Sequence, residues 1–196
     1  TPSNGGYCGC AIFSKIPFNC IDKGFEYVKV PKKHDQLSKM LGDEARVLTA
    51  EFGHFSIVLS YSPNSGRPND LTSLPKRVAF DTLLSYYLTQ LDRPYLLMGD
   101  LNVVRRDHDV TDGLQHPRYV QHPACTPTER SALEKLISSH ALVDFQEHCN
   151  APGFTCATTF GYHMRLDYAL VHASILHLAR GFAHHPGMKS SDHSAQ

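Results

Sequence analysis

"YLLMGDLNVV", residues 95–104, is an apolar run that breaks into Gly-Asp-Leu-Asn and then turns apolar again. Gly, Asp and Asn are common turn residues, so on its own the stretch reads as a buried strand that ends in a turn. It leaves one carboxylate and one carboxamide, Asp100 and Asn102, at the strand's end. The fold reading depends on whether other strands end in the same way.

Strand candidates are "GCAIFSK" (9–15), "ARVLTAEF" (45–52), "FSIVLSY" (55–61), "YLLM" (95–98) and "LDYALVH" (166–172), rich in Val, Ile, Leu and aromatics and mostly too short for helices. The segment "PKRVAFDTLLSYYLTQLD" (75–92) places Phe80, Leu83, Leu84, Tyr87, Leu88 and Leu91 on one helical stripe, which predicts a core-facing helix. "SALEKLISSHAL" (131–142) predicts another, because Thr126 and Glu129 of "CTPTER" have capping-box spacing and Pro127 suits the first helical position. Strands and helices are interleaved, so the expected class is α/β.

The chain has 196 residues, the size of one large domain. Hydrophobic residues make up 41% and charged residues 19%, ordinary for a water-exposed globular domain, and no apolar run approaches a membrane span. The 19 basic and 19 acidic side chains cancel, so any polyanion site must be local. Six cysteines, at 8, 10, 20, 125, 149 and 156, show no zinc-site spacing and read as free thiols of a reducing compartment. There is no Asn-x-Ser/Thr acceptor and no internal repeat.

"GDLN" does recur in kind. Tyr61, Asn64 and Arg67 follow the strand "FSIVLSY", Asp167 sits beside the run "DYALVH", and Asp192 and His193 stand together in "SSDH". Strand ends in layered α/β proteins are a usual place for a site, because a rigid sheet holds polar groups that short loops bring together. Each residue alone has an ordinary reading as a cap, turn or packing group. Together they supply what phosphodiester hydrolysis needs: a base for water, hard oxygen ligands, and donors for phosphoryl oxygens as charge builds. Asp and Asn oxygens suit Mg²⁺ or Mn²⁺ better than zinc. No Gly-x-Ser-x-Gly elbow or His-Glu-x-x-His helix is present, and "GFAHHPGMKS" has the wrong spacing for a phosphate-binding loop.

The series "GGYCGCAIFSK", "EARVLTAEF", "SYSPNSGR", "GDLNV", "CTPTER", "RLDYALV" and "SSDH" resembles, in order and approximate spacing, the endonuclease/exonuclease/phosphatase superfamily. Within it, "SPNSGR", "TPTER" and "RLDY" look like the apurinic/apyrimidinic endonucleases of the exonuclease III type. The resemblance implies a four-layer α/β sandwich, two mixed sheets packed face to face with helices outside, the DNase I-like fold. It implies Mg²⁺-assisted cleavage of DNA on the 5′ side of an abasic site, leaving a 3′-hydroxyl, in base-excision repair. By residue-wise carry-over, Asp100 activates the attacking water and Asn102 stabilises the oxyanion. Tyr61 and Asn64 contact the scissile phosphate, Asp167 orients His193, and Arg67 enters the DNA near the lesion. Asp100, Asn102, Asp192 and His193 are the expected metal set.

The same resemblance implies that the family's opening strand, its Glu metal ligand and its last strand fall outside residues 1–196, which would impair this chain acting alone. Cys156 and Met164 stand where relatives have aromatics walling the abasic-sugar pocket. The expected partner is DNA containing abasic sites, with no membrane and with the protein an intracellular monomer. Two other readings remain open: a non-catalytic nucleic-acid-binding relative, and a phosphodiesterase for RNA or a small phosphoester. Lys29, Lys32, Lys33, His34 and Lys39, with Arg67, Arg105 and Arg106, are candidates for local phosphate contact, a solvated charged loop being the alternative.

Overall fold

The computed structural model of the chain describes residues 8–25, 28–32, 35–41, 44–158, 160–183 and 191–193. Its strands are β1 (Asn19–Lys23), β2 (Val47–Phe52), β3 (Phe55–Ser60), β4 (Tyr95–Asp100), β5 (Leu142–Asp144), β6 (Cys156–Ala157), β7 (His163–Met164) and β8 (Asp167–His172). The helices are α1 (Asp35–Leu41), α2 (Leu74–Thr89), α3 (Pro127–Ser139) and the single turn α4 (Phe145–His148). Six strands form one mixed sheet in the order β1-β2-β3-β4-β8-β5, and β6 and β7 form a second, two-stranded one. Among the described strands, only the β3–β4 pair is parallel, with α2 as its crossover.

The main core lies between this sheet and α1, α2 and α3. Phe80, Leu83, Leu84, Tyr87 and Leu88 of α2 meet Val47, Val58, Leu97 and Leu170 of the strands and Leu133, Leu136 and Ile137 of α3. Leu91, just past the end of α2, packs against the same cluster, so the whole stripe read from the sequence faces inward. On the opposite face, Ala169 and Val171 of β8 pack with Phe145, and with Ile175 and Leu176 of a short 3-10 helix. Covered on both faces, β8 is buried over Tyr168–Val171, as a continuous apolar run should be. No helix among the described residues is long and apolar enough to cross a membrane.

Helix α3 begins as expected. Thr126 accepts from the Glu129 amide, and the buried Glu129 carboxylate accepts from the Thr126 amide and hydroxyl. It ends at Ser139, earlier than expected, and Ala141 at φ +49° turns the chain into β5. The strand expected at residues 9–15 is absent: a single bridge joins Gly9 to Ala45, and Phe13 is 96% exposed. The edge of β2 that such a strand would need is taken by β1, whose polar sequence NCIDK gave no strand signal. Cys8, Cys10, Cys125, Cys149 and Cys156 are free thiols.

Candidate active site

The antiparallel pairing of β4 with β8 ends on the register pair Asp100↔Asp167, so two carboxylates sit side by side at one sheet end. Gly99, at φ +119°, lets β4 pass close to β3, since a Cβ there would run into the Ser60 carbonyl. Past Asp100, Asn102 takes φ +46°, a left-handed conformation that Asn tolerates. Its backbone N–H donates to Asp100 Oδ1 at 2.8 Å, and its Nδ2 donates to Asp100 Oδ2 at 3.0 Å and to the Ser62 carbonyl at 2.9 Å. Asp100 and Asn102 thus form one unit.

The loop after β3 is stitched to this unit. The Ser62 N–H donates to the Asp100 carbonyl at 2.9 Å, and Asn64 Nδ2 reaches Asn102 Oδ1 at 3.4 Å. Arg77 of α2, 2% exposed, donates to the Asn102 and Pro63 carbonyls at 2.8 and 3.3 Å, tying both loops to the helix. Half-buried Tyr61 packs under the Arg46 guanidinium, 4.9 Å from the ring centroid.

From the other side, residues 191–193 dock beside β6 through a Cys156–His193 backbone bridge and an Ala157 N–H to Asp192 carbonyl bond of 2.8 Å. That docking brings His193 Nδ1 to within 2.7 Å of Asp167 Oδ2. The Asp167 backbone N–H is in turn held by Thr155 Oγ1 at 3.0 Å. Burial, and then the neighbouring Asp167 charge, push the Asp100 carboxyl up to about 7. His193 is pushed up to about 11, first by its hydrogen bond to Asp167 and next by one with Cys156, against the opposing effect of burial.

Of the expected site residues, Asp100, Asn102, Asn64, Asp167 and His193 are linked in this way, and Tyr61 begins the same loop as Asn64. Asp192 is exposed and lies within 4.8 Å of His193 and Cys156 ligand atoms. Arg67 stands apart from those bonds in an exposed turn whose backbone pairs with Asp70.

Several expectations are corrected. Arg105 is 8% exposed and bonded to Glu134, Asp144 and Glu147, so its charge is spent within the protein, whereas Arg106 is exposed and pairs at the surface with Glu134 and Glu147. Met164, 1% exposed, is packed in a cluster with Val110, Tyr162 and Leu166. Lys29, Lys32 and Lys39 are exposed, while Lys33 and His34 lie outside the described residues. Arg77 was not singled out in the sequence, although an arginine one turn before Phe80 on a buried stripe is a signal for such a buried anchor.

The chain matches the model of the endonuclease/exonuclease/phosphatase family over residues 1–193. It belongs to that family. It is 32% identical over 185 residues to the DNA repair nuclease APEX1 of Danio rerio, covering 87% of this chain and 53% of that protein. To a DNA-(apurinic or apyrimidinic site) endonuclease of Arabidopsis thaliana it is 27% identical over 192 residues, covering 84% of this chain and 50% of that protein. Among solved structures it resembles an AP endonuclease from Leishmania major, with a TM-score of 0.69, 27% identity, and coverage of 78% of this chain and 53% of that one. The fold is therefore the DNase I-like α/β fold of these nucleases. The chain spans about half the length of these curated relatives.

Proposed function

We propose that the family member carrying this chain is a nuclease that hydrolyses the DNA backbone on the 5′ side of abasic sites, leaving a 3′-hydroxyl, as a monomer in base-excision repair. The observation that carries the reading is the Asp100–Asp167–His193 arrangement, in which a carboxyl held near neutrality and a proton-rich imidazole share one carboxylate neighbour. A base works best when its pKa lies near the working pH, and Asp100 meets that condition for taking a proton from water. Asp167 fixes the His193 ring through Nδ1 and keeps it charged, which leaves Nε2–H to donate to a phosphoryl oxygen. Asn64 and the Tyr61 phenol border the same loop and would hold the phosphate. Asn102 holds the Asp100 carboxylate in place, and to serve developing charge its Nδ2 would exchange one of its present acceptors, Asp100 or Ser62, for the phosphoryl oxygen. Exposed Arg67 would reach into the DNA beside the lesion.

The hard oxygen donors of Asp100 and Asn102, with exposed Asp192 nearby in sequence to His193, fit Mg²⁺ or Mn²⁺, and a cation bound there would neutralise charge on the phosphoryl oxygens. An imidazole is a softer ligand than these oxygens and His193 Nδ1 is held by Asp167, so we assign His193 the proton-donor role here. The similarity to AP endonucleases favours abasic DNA over RNA or a small phosphoester. The test is Mg²⁺-dependent incision of a duplex with one abasic analogue, beside a single-stranded RNA and an inositol phosphate, with Asp100→Asn as control. Incision confined to the abasic strand and abolished by Asp100→Asn is expected. No incision, or faster turnover of either alternative substrate, overturns the reading.

A further inference from the structure

Among the described residues, Cys156 is the thiol that groups with a carboxylate and an imidazole. Its Sγ, an Asp192 carboxylate oxygen and a His193 ring nitrogen lie within 4.8 Å of one another. The grouping is held by backbone, since Cys156 pairs with His193 and Ala157 bonds to the Asp192 carbonyl. His193 Nδ1 is committed to Asp167 at 2.7 Å and the ring also bonds to Cys156, so a metal would take Nε2 in exchange for the hydrogen bonding now made there. A carboxylate behind a metal-binding imidazole fixes the ring and makes the other nitrogen a better donor.

From this geometry we propose that Cys156, Asp192 and His193 form a site for a borderline-soft divalent cation of the Zn²⁺ class, different in donor type from the hard-oxygen pair Asp100 and Asn102 and competing with it for Asp192. Sulfur, nitrogen and oxygen donors select zinc, cobalt or cadmium over Mg²⁺. Three protein ligands with a fourth position for water is a common zinc geometry, with ligand atoms about 3.5 Å apart. Cys156 itself is 7% exposed, but Asp192 stands at the surface and gives the ion a way in. On binding, the thiol proton and the Nε2 proton leave to solvent, so occupancy rises with pH. A metal on Nε2 also removes the proton assigned above to the phosphate, so on that functional reading Zn²⁺ antagonises incision.

Co²⁺ is the probe, because sulfur ligation gives a near-ultraviolet charge-transfer band. Titration of the purified protein at mildly alkaline pH is expected to give that band with one Co²⁺ per chain, and Zn²⁺ should displace it. The band should vanish in Cys156→Ser, weaken at least about tenfold in affinity in Asp192→Asn, whose side chain is exposed and whose fold is safe, and persist in Cys149→Ser. No band in the folded unsubstituted protein, or a band that survives Cys156→Ser, overturns the proposal, the latter placing the metal on other thiols such as Cys8 and Cys10. Cobalt binding lost on Cys156→Ser but without effect on incision supports the site and faults only the role given to His193.

Discussion

Asp100 and Asp167 face each other as the last register pair of β4 and β8, and Asp167 alone of the two is hydrogen-bonded to His193, at 2.7 Å. The asymmetry separates their roles: Asp167 is tied to a cation, whereas Asp100 sits beside a like charge and is pushed up to about 7, first by burial and then by Asp167. Asp167→Asn should therefore move two titrations at once. His193, now pushed up to about 11, should fall toward 6.5, and Asp100 should fall part of the way from about 7, since its repulsive neighbour disappears while burial, the larger cause, remains. Ring-carbon NMR of His193 reads the first. The acid limb of the incision profile, where Asp100 takes up a proton and stops acting as a base, should move to lower pH, with the rate reduced about a hundredfold or more. An unmoved His193 titration would sink this account.

Gly99 is the residue that lets the site form. Any Cβ there meets the Ser60 carbonyl, and its φ of +119° is costly for other residues. Gly99→Ala should cost about 3 kcal/mol from backbone strain and overpacking combined. Because the clash lies one residue before Asp100, the loss should appear both in chemical denaturation and in incision by the fraction that remains folded. A variant as stable as the parent would show that β3 and β4 can separate freely.

The parts of this molecule that were legible in the sequence are those decided locally. Thr126 and Glu129 are three residues apart and cap their own helix, and the stripe from Phe80 to Leu91 is set by helical period alone. Asp100, Asn102, Asp167 and His193 were legible because each follows or borders a run that could only be a strand or stands in a family motif. What was not legible depends on distant partners. NCIDK is a strand because the edge of β2 accepts it, and GCAIFSK is not one because that edge is occupied. Arg105 reads as a free cation until Glu134, Asp144 and Glu147 fold onto it from 29, 39 and 42 residues away. Cys156 reads as one more free thiol until residues 191–193 dock beside it.

Arg165 shows how the start of β8 is held. It is 1% exposed and forks onto two buried carboxylates, Asp109 at 2.7 and 3.1 Å and Asp144 at 3.0 and 2.8 Å, with Tyr168 stacked 4.5 Å from its guanidinium carbon. Removing the cation leaves both carboxylates buried without it, so Arg165→Met should cost about 3–5 kcal/mol. At about 2–4 °C per kcal/mol for a chain of this size, Tm should drop by roughly 10 °C. Arg165→Lys should recover less than half of this, because a lysine cannot form either fork. A loss under about 1 kcal/mol in Arg165→Met would show that the network contributes little beyond its own desolvation.

His122 and His140 set the acid side of the stability profile. His122 is 8% exposed, with Nδ1 against the Pro123 carbonyl and Nε2 2.7 Å from the Tyr162 hydroxyl, a pairing that suits a neutral ring donating through Nδ1 and accepting at Nε2. His140 is 9% exposed, with Nε2 3.0 Å from Ser85 Oγ. Burial lowers both below the ordinary 6.5, with His172 adding to the effect at His140. For such groups the unfolded chain takes up protons first as pH falls, so their stabilisation is present above about 6.5 and is lost on the acid side, down through the folded values. Asp100 works in the opposite sense: its folded value of about 7 exceeds the ordinary 3.8, so its contribution grows as pH falls across that window. The decisive measurement is therefore a difference. Thermal unfolding of the parent and of the double variant His122→Gln, His140→Gln is compared from about pH 7.5 to about pH 5, leaving Asp100 common to both. The parent should lose more stability than the variant over that range, and the two curves should converge or cross on acidification. Parallel curves would mean that neither imidazole is held neutral by the fold.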